Sequence, residues 1–219
     1  MNLQNATVLV TGGTSGIGRG VARALTGAGA KVAVTGRDEA RLQEVARELG
    51  VLAIKADVTN EADVDRTYAE VLGAFGHLDA LVNNAGAGKF APLVDLSRED
   101  FDSIIGTNVT GAMLMARAAA RHFVKRRAGN IINIGSTAAL RGAPNGTAYY
   151  ASKFALRGMA YRVGARVANM AACPSCVSYL NTYEKTVLLA RACAVDDPVP
   201  ADVPESLVQA ILAAQKKAR

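Results

Sequence analysis

The chain has 219 residues, of which half are hydrophobic and none is Trp, and it carries a formal net charge of +6. That length is enough for one domain with a sizeable core, and the start of the chain and its short apolar runs argue against a leader or a membrane span, so we expect a cytoplasmic protein. The basic residues are spread along helical stretches without a nucleic-acid recognition motif, which argues against a nucleic-acid partner and leaves the charge free to attract a phosphate-bearing cofactor.

A strand followed by a glycine-rich turn opens the chain. Residues 6–11 are a short β-branched apolar run, which predicts a buried parallel strand. Residues 12–18 read Gly-Gly-Thr-Ser-Gly-Ile-Gly, and helical periodicity follows over 19–28. Such a turn lets backbone N–H groups approach a diphosphate at a helix N-terminus. A glycine cluster alone is weak evidence, but the strand and helix around it predict a dinucleotide site.

The second strand, predicted over 31–35, ends at Gly36-Arg37. The dinucleotide fingerprint expects an acid about 20 positions past the glycines, where it binds the ribose 2′-hydroxyl. Arg37 instead offers a two-pronged contact to a 2′-phosphate, which favours NADP over NAD. The alternative is a surface arginine at the start of a helix over 38–49.

The alternation of strands and helices continues with strands predicted over 51–56, 79–82 and 130–134. Five strands separated by helices predict an α/β fold, a three-layer doubly wound parallel sheet with right-handed crossovers. Without an internal linker or repeat, residues 1–219 are expected to form a single domain.

Several polar and small residues fall where these strands end. Asp57 and Val58 follow the third strand, and the small residues 83–88 follow the fourth. Both segments belong to the ligand crevice at the carboxyl edge of a parallel sheet. A long helix is predicted from Ser97 to about Arg127, and Asn108 interrupts its apolar face, so its amide must be hydrogen-bonded.

Tyr149 and Lys153 lie four residues apart, a spacing that places a phenol and an ammonium on one helix face. A phenol normally titrates near ~10, and a cation ~4 Å away at an effective dielectric of ~20 is worth about 4 kcal/mol, or roughly three pKa units. Lys153 is therefore expected to lower the pKa of Tyr149 towards the range of a general acid/base, with Ser136 holding a carbonyl oxygen beside it. The alternative is an exposed Tyr/Lys pair on an ordinary helix.

Taken together, these residues resemble the classical short-chain dehydrogenase/reductase family over residues 6 to about 158. The matching motifs, in the family's order and spacing, are Thr11-Gly12-x-x-x-Gly16-x-Gly18, Asp57-Val58, Asn83-Asn84-Ala85-Gly86, Asn108, Ser136 and Tyr149-x-x-x-Lys153. No single motif is specific, but the combination is. The resemblance implies a Rossmann fold and an NAD(P)-dependent oxidoreductase acting on a small carbonyl or alcohol substrate.

The resemblance also implies a role for each matching residue. Tyr149 would be the acid/base, Ser136 would hydrogen-bond the substrate oxygen, Lys153 would bind the nicotinamide ribose, and Asn108 would hold a water linking Lys153 to solvent. The remaining positions would contact the cofactor: Gly12, Ser15, Gly16, Ile17 and Gly18 its diphosphate, Asp57 and Val58 its adenine, Asn83, Ala85 and Gly86 its adenosine ribose side, and Arg37 a 2′-phosphate.

Past Gly158 the chain departs from the family pattern. Pro174-Ser175 stands where Pro-Gly is usual, and the segment between Lys153 and Pro174 is several residues short. We therefore expect residues 159–219 to form an atypical substrate-covering region. Family members commonly pair through the helices of residues 97–127 and 148–168, which implies a homodimer or homotetramer.

Two other readings remain open. A catalytically weak or inactive NADP-binding regulatory protein of the same fold would explain the altered C-terminal third. A thiol-redox role for Cys173 and Cys176 would use their C-x-x-C spacing, although the second such pair that a zinc site needs is missing.

Overall fold

The computed structural model describes residues 3–162, which form a parallel sheet flanked by helices. The strands are β1 (Thr7–Val10), β2 (Lys31–Gly36), β3 (Leu52–Lys55), β4 (Ala80–Asn83) and β5 (Asn130–Asn133). The helices are α1 (Gly16–Gly27), α2 (Glu39–Leu49), α3 (Glu61–Phe75), α4 (Arg98–Ile105), α5 (Ala112–Arg126) and α6 (Thr147–Arg162). Short 3-10 turns lie at Leu93–Asp95 and Thr137–Ala139.

The strand order is β3-β2-β1-β4-β5, and all four pairings are parallel. The chain therefore winds outward from β1 in both directions, which confirms the doubly wound Rossmann arrangement predicted from the sequence. In such a sheet the topological switch point lies between β1 and β4, and ligands bind outside the carboxyl ends of those strands.

The core consists of two apolar clusters on the two faces of the sheet. Alternate side chains of β1 point to opposite faces, so Val8 and Val10 join the cluster that includes Leu42 and Val45 of α2. Leu9 faces the other way and joins the cluster that includes Met115 of α5. Because both faces are covered there, β1 and β4 are buried throughout, as the apolar run of residues 6–11 indicated for β1.

The predicted long helix from Ser97 to Arg127 is interrupted in the structure. It comprises α4, a π-helical segment at Gly106–Gly111, and α5. A π-turn usually accommodates a functional constraint, and here it contains the buried Asn108. Lys125 and Arg126 lie in the last turn of α5, where positive charge complements the helix dipole.

Several predictions concern residues outside the described range. They are the single domain over 1–219, the substrate-covering region, the Cys173/Cys176 pair and the altered Pro174-Ser175 turn.

Candidate active site

The glycine-rich turn after β1 lies against the loop that follows β4. Gly12 has φ +64°, and a Cβ built on it would lie 2.9 Å from the Cα of Ala85. A Cβ on Gly18 would lie 2.3 Å from the Gly12 carbonyl oxygen. The backbone is therefore packed so closely that only glycine fits at either position.

The N-terminus of α1 differs from those of α2, α3 and α4. Side chains of Asp38, Asn60 and Ser97 cap α2, α3 and α4. The side chain of Ser15 makes no such hydrogen bond to α1, and the first turn of α1 contains no acid. Uncapped N–H groups with no nearby carboxylate suit a bound anion. The diphosphate of a dinucleotide fits this turn.

Asn84 and Thr11 fix the two loops to each other. The Thr11 hydroxyl oxygen accepts hydrogen bonds from the backbone N–H groups of Asn84 and Ala85, both at 3.0 Å. The Asn84 amide nitrogen donates to the carbonyl oxygens of Thr11 at 2.9 Å and Gly12 at 3.1 Å. Sequence reasoning gave Asn84 no role of its own, although a second amide directly after a strand end was a signal for it.

Asn83 directs its side chain into the protein. Its amide nitrogen donates to the Ala112 carbonyl oxygen and to the Asn133 side-chain oxygen, both at 3.0 Å. These bonds tie β4 to the start of α5 and to β5. The predicted contact of Asn83 with the adenosine ribose side therefore depends on its backbone, along with Ala85 and Gly86.

The residues predicted to contact the 2′-phosphate and the adenine follow β2 and β3, respectively. Arg37 is exposed and forms no ion pair with any other residue in the range 3–162. Asp57 accepts from the Thr59 N–H at 2.9 Å and from its hydroxyl at 2.7 Å, which closes a tight turn. Val58 is buried against Gly111, where a Cβ would lie 2.6 Å from the Val58 side chain.

Asn108 is 1 % exposed and its carboxamide is fully engaged. Its oxygen accepts from the Ala87 N–H at 2.7 Å, and its nitrogen donates to the Ala87 carbonyl oxygen at 2.9 Å. The same nitrogen donates to the Ser152 hydroxyl oxygen at 2.9 Å. The predicted hydrogen bonding of this amide is confirmed. Both amide protons are used inside the protein, so a water would have to bind a carbonyl oxygen of Asn108.

The Lys153 side chain is buried within the site and is only 7 % exposed. Its Nζ donates to the Ile134 carbonyl oxygen at 3.1 Å and lies 5.7 Å from the centroid of the Tyr149 ring. Burial lowers the pKa of Lys153, because the charged amine loses hydration there. The structure therefore brings this amine and the Tyr149 ring together, as their spacing predicted.

Ser136 follows β5 and precedes the 3-10 turn that packs against α6. Its hydroxyl oxygen accepts from the Ala138 N–H at 3.1 Å. The hydroxyl proton is not used in that bond and is available to another acceptor. Because Ile134 anchors Lys153 two residues before Ser136, the end of β5 contributes to both parts of the site.

Aromatic rings surround Tyr149. The Phe90 centroid lies 5.6 Å from that of Tyr149, and the Tyr150 ring meets Tyr149 edge-on at 6.3 Å. Phe90 is 62 % exposed, on the loop after β4. Sequence reasoning did not single out Phe90, since nothing in the local pattern showed that its loop reaches α6.

A family model described as short chain dehydrogenase matches residues 6–180. The chain belongs to the short chain dehydrogenase family. The match includes the glycine-rich turn, the loop after β4, Asn108, Ser136, Tyr149 and Lys153. Members of this family use nicotinamide cofactors, NAD or NADP, and the uncapped α1 N-terminus beside the glycine-packed loops fits the diphosphate of either.

Known members of the short chain dehydrogenase family resemble this chain over about three quarters of its length. A sorbitol dehydrogenase from Cereibacter sphaeroides is 38% identical over 167 residues, which are 75% of this chain and 65% of the relative. The 3-oxoacyl-[acyl-carrier-protein] reductase MabA from Mycobacterium avium is 40% identical over 154 residues, 70% of this chain and 58% of that protein. The match thus spans less than two thirds of each of these two proteins.

A solved structure is similar as well. The crystal structure of a short chain dehydrogenase from Mycobacterium smegmatis superposes with a TM-score of 0.71 at 33% identity, covering 73% of this chain and 70% of that one. Within residues 3–162, no helix combines the length and the apolar character needed to cross a membrane.

Proposed function

We propose that this chain is an oxidoreductase that transfers a hydride between a nicotinamide cofactor and a carbonyl or alcohol substrate, with Tyr149 as acid/base. The observation that carries the proposal is the buried Lys153 amine, held on the Ile134 carbonyl oxygen beside the Tyr149 ring. Both residues lie on α6, and Tyr149 borders the loop after β4, where a Cβ built on Gly88 would lie 3.2 Å from its ring.

In the reducing direction, Tyr149 gives its hydroxyl proton to the substrate oxygen as the carbonyl carbon gains a hydride. The bound cofactor supplies that hydride. Ser136 donates a hydrogen bond to the same oxygen and fixes the carbonyl for attack. In the oxidising direction the phenolate takes the alcohol proton back.

Lys153 supports this proton transfer by placing a positive charge beside the phenol, with its Nζ 5.7 Å from the centroid of the Tyr149 ring. An opposite charge nearby favours the negative charge that develops on the oxygen as the proton leaves. The Ile134 carbonyl and the packing of α6 keep the amine in place, and the same amine would bind the ribose next to the nicotinamide. Asn108 would connect Lys153 to solvent through a water bound at a carbonyl oxygen.

The cofactor is proposed to be NADP. Arg37 is exposed and unpaired with the acids of the described range, so its guanidinium is free to hold a 2′-phosphate. The position before it is Gly36, so no carboxylate stands there to bind a 2′-hydroxyl. The glycine-rich turn and Ser15 would bind the diphosphate, and Asp57 and Val58 would border the adenine.

The proposed activity is tested by measuring NADPH oxidation against a panel of ketones and 3-oxo esters, with wild-type protein and Tyr149→Phe. We expect wild-type turnover that Tyr149→Phe reduces by more than about a thousandfold, with NADPH affinity changed less than about twofold. Normal turnover by Tyr149→Phe would remove the acid/base role.

The cofactor preference is tested by fluorescence titration with NADPH and NADH. Arg37→Ala should weaken NADPH binding by more than about tenfold and NADH binding by little. Arg41→Ala is a matched control, since Arg41 lies one turn further along and pairs with Asp38 at 3.4 Å. Equal losses for both cofactors in Arg37→Ala would reject the 2′-phosphate contact.

A regulatory NADP-binding protein is the second candidate, favoured by the departure from the family pattern past Gly158. It predicts tight NADPH binding without turnover of any substrate in the panel. A homodimer or homotetramer in the cytoplasm stays a prediction from the resemblance.

A further inference from the structure

Ser152 occupies a central place between the residues of the proposed site. It precedes Lys153, follows Tyr149 by most of a helical turn, and has 0% exposure. Its hydroxyl oxygen lies 2.9 Å from the Asn108 amide nitrogen and 2.7 Å from the Tyr149 carbonyl oxygen. Neither the motif analysis nor the family resemblance gave it a role.

The direction of each hydrogen bond at Ser152 is fixed by its partners. An amide nitrogen only donates and a carbonyl oxygen only accepts. The Ser152 oxygen therefore accepts from Asn108, and its single proton goes to the Tyr149 carbonyl. Asn108 in turn has its other amide proton on the Ala87 carbonyl and its oxygen on the Ala87 N–H. Ser152 thus completes a series of hydrogen bonds in which each donor has one acceptor.

These hydrogen bonds join three separate elements. Ala87 belongs to the loop after β4, Asn108 to the π-helical segment, and Ser152 to the first turns of α6. The rotation of α6 decides how far the Lys153 amine lies from the Tyr149 ring and whether it reaches Ile134. A hydroxyl that fastens α6 at the residue before Lys153 controls that rotation directly.

We propose that Ser152 is a positioning residue of the active site, which holds the Asn108 carboxamide and the first turn of α6 so that Lys153 and Tyr149 keep their working separation. It touches no reacting atom and acts through Asn108, Tyr149 and Lys153. This inference rests on the proposed oxidoreductase function.

Without the hydroxyl, one Asn108 amide proton would be buried with no acceptor, a situation that proteins avoid. The carboxamide and α6 would shift to relieve it, and the amine would move relative to the phenol. Ser152 makes no bond to the glycine-rich turn, so the diphosphate contacts should not change, and NADPH affinity should change little even though Lys153 would also bind the ribose. The effect should therefore fall on the proton-transfer step.

The test compares Ser152→Ala, Ser152→Cys and Ser152→Thr with wild type, using a substrate found in the NADPH panel. Cysteine keeps the size but bonds weakly, whereas threonine keeps the hydroxyl. We expect Ala and Cys to lower kcat about tenfold with KM and NADPH Kd within about twofold, and to move the limb of the kcat–pH profile for alcohol oxidation to higher pH. Ser152→Thr should restore both kcat and the wild-type position of the kcat–pH profile. Ser103→Ala, at an exposed serine of α4, should match wild type.

A double-variant cycle with Asn108→Ala adds a second criterion. If the two residues act as one unit, the double variant should lose little more kcat than the worse single variant. Additive losses, an unchanged pH profile in Ser152→Ala, or a loss of melting temperature that Ser152→Thr does not recover would each overturn the proposal. A wild-type protein that binds NADPH but turns over no substrate would instead overturn the proposed function, and this inference with it.

Discussion

Lys153 donates from Nζ to the carbonyl oxygen of Ile134 at 3.1 Å, a bond that links α6 to the end of β5. The Ile134 N–H donates in turn to the Asn83 carbonyl oxygen at 2.8 Å, so the acceptor is itself fastened to β4. A long flexible amine is thereby attached to the hydrogen-bonded ends of β4 and β5. The cost of this placement is the desolvation that lowers the pKa of Lys153.

Because of this desolvation, we expect Lys153 to lower the stability of the fold while it serves the reaction. The folded protein binds the Lys153 proton less tightly than the unfolded chain, whose lysine titrates near 10.5. The charged amine therefore destabilises the fold below its lowered pKa, and the penalty fades as the pH rises from there towards 10.5. Lys153→Met should abolish turnover yet melt about 2–4 °C higher at neutral pH, with a gain that shrinks in alkaline buffer. Calorimetry over a pH series measures this, and a constant difference at all pH values would contradict it.

Gly18 and Gly20 give a matched pair within α1. A Cβ on Gly18 would lie 2.3 Å from the Gly12 carbonyl oxygen and 2.4 Å from the Asn84 amide nitrogen, whereas one on Gly20 would meet nothing within 4 Å. Gly18→Ala should cost about 3 kcal/mol of unfolding free energy and weaken NADPH binding, because the two loops must separate. Gly20→Ala should add about 0.5–1 kcal/mol through helix propensity. Urea unfolding distinguishes them, and similar effects of the two substitutions would refute the packing argument.

Thr14 is expected to restrict which residue can stand at position 36. A Cβ on Gly36 would lie 2.6 Å from the Thr14 methyl carbon. Gly36→Asp, which places a carboxylate where the dinucleotide fingerprint expects one, should therefore weaken NADPH binding about tenfold without improving NADH binding. Adding Thr14→Ser removes that methyl group and should raise NADH affinity roughly tenfold, while Thr14→Ser alone stays within about twofold of wild type for NADPH. NADH binding that improves in Gly36→Asp alone would show that Thr14 imposes no restriction.

His122, which contacts the residue segment just before β4, is expected to make the stability of the fold depend on pH. Its Nε2 accepts from the Leu78 N–H at 3.2 Å, which requires the neutral ring. Burial, followed by the positive charge of Arg126, lowers the pKa of His122 from its ordinary 6.5, although Asp79 opposes the shift. The unfolded chain therefore takes up the proton first, and stability should fall as the pH drops below 6.5 until the folded protein is protonated as well.

His122→Gln offers the check on this slope. Glutamine cannot gain the proton, so the decline of melting temperature between neutral pH and the lowered pKa of His122 should flatten in the variant. The comparison is made in matched buffers by thermal melts followed by circular dichroism. A variant with the same slope as wild type would assign the pH dependence to other groups.

The local sequence determined the elements and their order. Short continuous apolar runs such as Val8-Leu9-Val10 predict buried strands, because a parallel strand that is covered on both faces buries every side chain. The glycine-rich turn could be read directly, since the conformation it needs excludes most other residues. The spacing of Tyr149 and Lys153 also gave their shared helix face, because that relation follows from helical geometry alone.

The tertiary structure decided how these parts meet. Three contacts of this kind depend on residues distant in the chain. Asn108 lies in the π-helical segment, Ser152 accepts a hydrogen bond from it, and Thr14 lies close to Gly36. Such contacts are set by how the sheet brings its loops together at one edge, and no periodicity within a single segment encodes them. The sequence thus determined which groups the site contains, whereas packing decided their hydrogen-bond partners, their burial and the desolvation of each charged group.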